Sequence, residues 1–481
     1  MIVQDHLYIG GKLVESTGSN TIDVINPFTE EVAGRVPDAT TADVDRAVAA
    51  ARSTFDDTDW SRRPAAERAE ILSRASAGIS ARMDELTKLI TTEMGSPYSW
   101  CMFGQVLAPT MVLDYYAGLA ADFEFEETRA GLFGPVVVRK EPLGVAAAIV
   151  PWNVPLFVTI LKLAPAILAG CTMVLKPAPE TPLDAYVLHE ILEEAGLPAG
   201  VLNIVPAGRE VGEHLVTHPG IDKVGFTGST AAGKRIGGLC GELLRPCTLE
   251  LGGKSAAIVL DDADLSTVVP GLMDAGILNN GQACVAQTRI LASRARYDEV
   301  LDAVTQAVAA QVVGDPMDPA TQIGPLVAAR QRDRVLGLID QGKNEGARVT
   351  TGGGRPDQDK GWFVDPTVFG DVKNNMTIAQ EEIFGPVLAV IAYEDEADAI
   401  AIANDSPYGL SGSVWSADSG HAADLARQME TGTVTVNHFG MAFGAPFGGY
   451  KNSGLGRELG PEGLEAYLQK KSISLDPAAG A

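Results

Sequence analysis

A chain of 481 residues exceeds what one hydrophobic core usually serves, so two or three domains are expected. With 46% hydrophobic and 21% charged residues it can bury large cores, which excludes a disordered chain. Sixty-two acidic against 37 basic side chains leave a formal net charge of −25, which repels a phosphate backbone and disfavours a nucleic-acid partner.

The first residues, M-I-V-Q-D-H-L, have no basic leader and no apolar run, so a cytoplasmic protein is expected. Residues 1 to about 35 read as short strands along a sheet edge: L-Y-I, a G-G turn, K-L-V-E, then I-D-V-I-N-P. Helical periodicity dominates from Thr41 to about Leu119, with D-V-D-R-A-V-A-A-A and E-R-A-E-I-L-S-R-A-S-A-G-I as amphipathic helices and no visible chemistry. From Phe123 to Glu141, alternating F-E-F-E, a G-L-F-G turn and P-V-V-V-R-K suggest a hairpin that leaves the globule. Pro142 to Leu161 is uncharged and long enough to raise a membrane span, but Pro151, Asn153 and Pro155 interrupt it. A buried strand from Val145 to Val150, a turn, and a helix towards Ala169 fit better.

Strands and helices then alternate to Leu260, with V-A-A-A-I-V, T-M-V-L-K, V-L-N-I-V, K-V-G-F-T and A-A-I-V-L as the strand runs. Such alternation implies a parallel sheet covered on both faces, with ligands beyond the carboxyl ends of its strands. T-P-L-D is a capping-box pattern with Pro182 in the first turn of a helix that ends at Gly196. A second alternating block, from about Asp264 to Val436, gives a second α/β domain, with T-G-G-G-R-P-D-Q-D-K-G as a surface loop.

Candidate chemistry centres on Thr248 to Ala286, which carries Glu250 in T-L-E-L-G-G-K and Cys284 in N-N-G-Q-A-C-V. A thiol can attack a carbonyl carbon, and a carboxylate can activate the water that later releases the acyl group. Taken singly, Cys284 reads as a buried thiol and Glu250 as a surface carboxylate. The prolines of P-W-N-V-P fix the backbone around Asn153, whose amide can serve as an oxyanion donor or merely complete a turn. Lys176 stands at a strand end where a nucleotide would lie. G-S-T-A-A-G-K-R satisfies G-x-x-x-x-G-K but continues with Arg235 in place of a magnesium-binding hydroxyl, which leaves Gly228 and Ser229 as a pyrophosphate site at a helix N-terminus. The five cysteines are scattered without metal-ligand spacing, and His214 and His218 lack the glutamate and third ligand of a zinc site, so no metal is expected.

Together these stretches resemble the aldehyde dehydrogenase superfamily over nearly the whole chain. Its marks stand in order: P-W-N-V-P (151–155), F-T-G-S-T (226–230), L-E-L-G-G-K (249–254), G-Q-A-C (281–284), E-E-I-F-G-P-V (381–387) and P-F-G-G-Y-K-N-S-G (446–454). The resemblance implies an α/β fold with three parts. These are a Rossmann-type dinucleotide-binding domain (1–119 and 142–252), an α/β catalytic domain (253–452), and a β-hairpin oligomerisation arm with the C-terminal segment (120–141 and 453–481). It implies Cys284 as nucleophile, Asn153 as oxyanion donor, Glu250 as general base and Glu458 as a proton relay. Trp152, Lys176, Gly208, Gly228, Ser229, Leu251, Glu382 and Phe384 would hold NAD, and a homodimer or homotetramer is implied.

Where this chain departs from the family pattern, the expectations change. Pro179 occupies the position of a glutamate that binds the ribose hydroxyls in many NAD-preferring members, and Glu180 comes one residue later, so the argument against NADP is weakened there while NAD stays the expected cofactor. Ala283 and Val285 flank Cys284, so no adjacent disulfide is expected to protect it. By the same resemblance Val154, Val158, Leu161, Phe447 and part of 438–443 wall the substrate pocket. The absence of lysine and arginine among them points to an uncharged aliphatic, aromatic or terpenoid aldehyde. A non-catalytic protein of the same fold and an enzyme that passes its acyl group to coenzyme A are the alternatives; Glu250 argues against the latter.

Overall fold

In the computed structural model, which describes residues 1–476, the apolar runs after Pro142 become strands of one eight-stranded sheet. Residues 477–481 of the expected C-terminal segment lie outside the described residues. Val145–Ile149, Thr172–Lys176, Leu202–Ile204, Lys223–Thr227 and Cys247–Glu250 run parallel. They are buried almost throughout, since separate apolar layers cover the two faces of the sheet. Counted in chain order, these five strands lie side by side as 3-2-1-4-5. That is the order of a dinucleotide-binding half, with a switch point between Val145–Ile149 and Lys223–Thr227.

Both margins of the sheet are antiparallel. The hairpin of Leu7–Ile9 and Lys12–Val14 forms one edge as its sequence suggests, and Gly454–Leu455 pairs with Cys247–Glu250 at the other. Thr21–Ile25 does not join this edge; it pairs with Val32–Pro37 in a separate three-stranded sheet.

The A-A-I-V-L run also belongs elsewhere. Ala256–Val259 pairs with Arg289–Ser293 and Gly412–Trp415 in a second, seven-stranded sheet, and C-T-L-E supplies the first sheet's strand instead. A buried parallel strand looks alike in either sheet, and the switch is made at Gly252-Gly253. Thr367–Gly370, Val387–Tyr393 and Thr435–Val436 complete the parallel part of this second sheet.

The T-P-L-D pattern does not form a capping box. Pro182 occupies the cap position of the helix Leu183–Glu194, and the Thr181 hydroxyl donates instead to the Trp152 carbonyl at 3.2 Å. Glu93 does the capping from ninety residues away, accepting the Leu183 N–H at 3.0 Å. Burial, and then the nearby Asp184, push the Glu93 carboxyl well above its usual range.

The helix Pro155–Ala169 is buried along nearly its whole length, which accounts for its apolar composition. Among the described residues no helix is long and apolar enough to cross a membrane. Glu126–Gly131, Gly134–Pro142 and Leu468–Ser474 form an antiparallel sheet of their own, its hairpin tip carrying exposed Leu132 and Phe133.

Candidate active site

The residues singled out in the first domain sit where its strands end. Val145–Ile149 leads into Pro151, Trp152 and Asn153, and Lys223–Thr227 into Gly228 and Ser229, on the two sides of the switch point. Thr172–Lys176 and Cys247–Glu250 end on Lys176 and Glu250 themselves. Ser229 caps the helix Thr230–Glu242 by accepting the Ala232 N–H.

Cys284 and Glu382 come from the second sheet, each just before one of its strands, Arg289–Ser293 and Val387–Tyr393. The loop that carries Cys284 is held by side-chain hydrogen bonds. Asn279 and Asn280 adopt left-handed φ of 52° and 62°, and asparagine tolerates this region better than most side chains. Their amide nitrogens anchor the loop: Asn279 donates to the Asn153 carbonyl at 2.8 Å, and Asn280 to the carbonyls of Gly95 and Pro325 at 2.9 Å each. The Asn153 amide donates one hydrogen to the Gln282 carbonyl at 2.8 Å, which leaves its second N–H for the cavity. Gln105 also donates to the Asn153 carbonyl, at 3.2 Å.

Two cavities meet at this loop, and Cys284 and Asn153 line both. One, of about 250 Å³, is walled by Trp152, Gly228, Ser229, Leu251, Glu382 and Phe384. The other, of about 370 Å³, is walled mainly by apolar side chains, among them Val154, Phe157, Val158, Leu161 and Phe447. Glu250 and Glu458 face this second cavity, and among the described residues no lysine or arginine lines it. A third cavity, of about 330 Å³, lies against Lys176, Pro179, Gly208 and Ile236.

The electrostatics are those of a buried site. Both Glu250 oxygens are buried without a hydrogen-bond partner. Burial, and then Glu458, push its carboxyl well above the usual range. Burial, and then the Glu382 and Glu250 carboxyls, push the Cys284 thiol up to about 12. Glu458 is held by Lys162, whose ammonium donates to it and to Thr227 Oγ1 at 2.6 Å each. Lys162→Met leaves Glu458 buried without its counter-charge. It should destabilise the fold by roughly 3 kcal/mol, read as a lower urea midpoint at pH 7; an unchanged midpoint would mean that the pair contributes nothing.

The residues present fit a dinucleotide. Gly208 has nothing within 4 Å of where a Cβ would stand, so its backbone is bare to an occupant. A Cβ at Gly252 would lie 2.6 Å from a Glu382 carboxyl oxygen, so only glycine lets that side chain fold over the site. Glu382 accepts the Gly253 N–H at 2.8 Å, and burial pushes its carboxyl up to about 7. Burial brings Lys176 down to about 8, its ammonium donating to the carbonyls of Pro177 and Ala207.

The family model described as the aldehyde dehydrogenase family matches residues 13–473. The chain belongs to that family. It is 50% identical over 475 residues to geranial dehydrogenase of Castellaniella defragrans, covering 98% of this chain and 99% of the relative. It is 44% identical over 471 residues to 3-succinoylsemialdehyde-pyridine dehydrogenase of a Pseudomonas species, covering 97% of each. Among solved structures it is similar to Mycobacterium tuberculosis aldehyde dehydrogenase complexed with NAD+, with 52% identity, a TM-score of 0.97 and 98% of each chain covered.

This aldehyde dehydrogenase has further site residues that its sequence does not announce. Lys162 is the only charge in the helix Pro155–Ala169, and that isolation is its signal. Trp100, Phe103 and Met111 wall the apolar cavity from the helical region in which the sequence suggests no chemistry. Phe384, which stacks edge-on with Trp152 at 5.3 Å, keeps a left-handed φ of 61°. Donors hold that backbone: Gln331 to the Phe384 carbonyl, and Arg334 to those of Glu382 and Ile383, each at 2.7 Å.

Proposed function

We propose that this aldehyde dehydrogenase oxidises uncharged aliphatic, aromatic or terpenoid aldehydes to carboxylic acids with NAD+. The observation that carries the reading is the position of Cys284 and Asn153 in the wall shared by the two cavities, with bare, buried Glu250 on the aldehyde side. The Cys284 thiolate attacks the carbonyl carbon, and the free Asn153 N–H and the Cys284 backbone N–H hold the oxyanion. Oxidised nicotinamide, when bound, supplies the hydride acceptor. The acyl group is left on Cys284 as a thioester, and water deprotonated by Glu250 hydrolyses it. Glu458, joined to Lys162, takes the proton onward from Glu250.

Lys176, Gly208, Gly228, Ser229 and Leu251 hold the adenosine and pyrophosphate, and Trp152, Glu382 and Phe384 the nicotinamide end. In the Lys176 cavity Pro179 offers no carboxylate to the ribose, Glu180 is ion-paired with Arg330, and Glu213 with Arg235 at 2.6 Å. NADP+ is therefore accepted as a weaker alternative. The wall chemistry supports apolar substrates, and the relative that is a geranial dehydrogenase supports a terpenoid among them. The exposed arm tip supports a homodimer or homotetramer.

The test mixes the purified protein with NAD+ or NADP+ and a panel of aldehydes, following nicotinamide absorbance. Geranial, octanal and benzaldehyde are expected to be oxidised, with NAD+ preferred, and succinic semialdehyde to react at least about tenfold more slowly in kcat/KM because no cation meets its carboxylate. Preference for succinic semialdehyde or a phosphorylated aldehyde would refute the substrate class.

A further inference from the structure

We propose that Cys240 and Cys247 are a modification site, a thiol pair that hydrogen peroxide closes to a reversible disulfide apart from the catalytic cysteine.

The alignment of one helix on one strand builds the pair. The helix Thr230–Glu242 packs back along Cys247–Glu250, the strand that follows it. A Cβ at Gly233 would lie 2.3 Å from the Leu251 side chain, and one at Gly237 would lie 3.3 Å from that of Leu249. Residues two apart on a strand share a face, and one further turn of the helix brings up Cys240. The series Gly233 on Leu251 and Gly237 on Leu249 therefore continues as Cys240 on Cys247. The two thiols share a hydrogen bond within the apolar layer on this face of the sheet. The turn between them is closed by the Arg245 N–H, which donates to the Cys240 carbonyl at 2.8 Å.

The two sulfurs differ in the way that oxidation needs. Cys240 is buried, as are Cys101 and Cys171, whereas Cys247 is partly exposed. The hydrogen bond from Cys240 draws the Cys247 thiol down to about 7 against the effect of burial, and Lys223 adds to it. The same bond, and then burial, keep the proton on Cys240. Lys223 is fixed close by, its ammonium donating to the hydroxyl of Thr248, the next residue of the strand, at 2.8 Å. Among the described residues neither thiol lines the cavities at Cys284 or Lys176.

The chemistry runs in two steps. The Cys247 thiolate attacks one peroxide oxygen; the S–O bond forms as the O–O bond breaks, and hydroxide leaves. Sulfur is oxidised and peroxide reduced. The Cys240 sulfur then attacks the Cys247 sulfenic acid, the S–S bond forms as the S–O bond breaks, and the Cys240 proton leaves with the departing hydroxide as water. Two thiols and one peroxide thus give one disulfide and two waters. A dithiol reductant reverses the bond by exchange.

The experiment treats the full-length, cofactor-free enzyme with hydrogen peroxide at pH 7, then denatures it, alkylates the remaining thiols with iodoacetamide and maps its tryptic peptides. Arg245 precedes a proline, so both cysteines fall in the one peptide 236–254. That peptide is expected to lose both labels and to be about 2 Da lighter than its reduced form, while Cys101 and Cys171 stay labelled; dithiothreitol should restore both labels. Cys240→Ser should stop at a Cys247 sulfenic acid that dimedone traps, and Cys247→Ser should leave Cys240 labelled. A wild-type peptide that keeps both labels, or that carries sulfinic acid at Cys247 beside a labelled Cys240, overturns the proposal without recourse to either variant. Dehydrogenase activity should follow the label on Cys284 and not closure of the pair. Activity lost with closure while Cys284 still alkylates would overturn the separation of the two sites.

Discussion

Replacing Cys284 with alanine should lower aldehyde-dependent reduction of NAD+ by about 10⁴-fold or more, in the first turnover as well as in the steady state. Alanine has no electron pair to add to the carbonyl carbon. In the proposed reaction neither Glu250 nor Asn153 replaces it, because one takes a proton from water and the other only donates a hydrogen bond. The substitution is structurally mild, since the loop is held by Asn279, Asn280 and Gln282 through bonds that do not involve the thiol. A stopped-flow burst in Cys284→Ala would therefore refute covalent catalysis at this position. The same thiol should show a pH signature in the cofactor-free enzyme. Burial and two carboxyls hold it near 12, so its thiolate fraction, and with it alkylation by iodoacetamide, should rise about tenfold per pH unit between roughly pH 7 and 10. A plateau in that range would mean that the thiol is already ionised.

What the sequence announced and what it hid divide along physical lines. The strand-end residues Asn153, Lys176 and Ser229 are legible because a short apolar run followed by a turn marks a strand's carboxyl end, and ligands gather there. Glu250 is reached only through its L-E-L-G-G-K motif, because C-T-L-E does not read as a strand. The family motifs then tie Cys284 and Glu382, from the second sheet, to the same centre. Phe103 escapes because Cys101–Leu107 winds as a π-helix, whose wider turn shifts the phase of the apolar face. A reading tuned to a 3.6-residue period cannot follow which side chains turn to the cavity there. The T-P-L-D cap escapes for another reason: the group that satisfies Leu183 is Glu93, and a long-range hydrogen bond leaves no trace in a local pattern. Sheet membership is hidden in the same way, as Ala256–Val259 shows.

Glu250→Gln should separate the two halves of the reaction. Glutamine preserves the shape of the side chain at the end of Cys247–Glu250 but has no basic oxygen to take a proton from water. One equivalent of reduced nicotinamide should still form per site, because thiol attack and hydride loss do not need this base. Steady-state turnover should then fall by about 10²- to 10⁴-fold. Acid quenching should trap the acyl group on Cys284, visible as its mass added to the intact protein. The pH profile gives an independent reading. Burial and Glu458 raise the Glu250 carboxyl, so the basic, deprotonated form grows as pH rises above the ordinary carboxylate range. Where deacylation limits wild-type kcat, it should therefore increase with pH through that raised value and then level off, while the residual rate of Glu250→Gln should lack this step. Equal loss of burst and turnover would instead assign Glu250 to the first half-reaction. Its bare oxygens would then be serving the thiol of Cys284 and not the water.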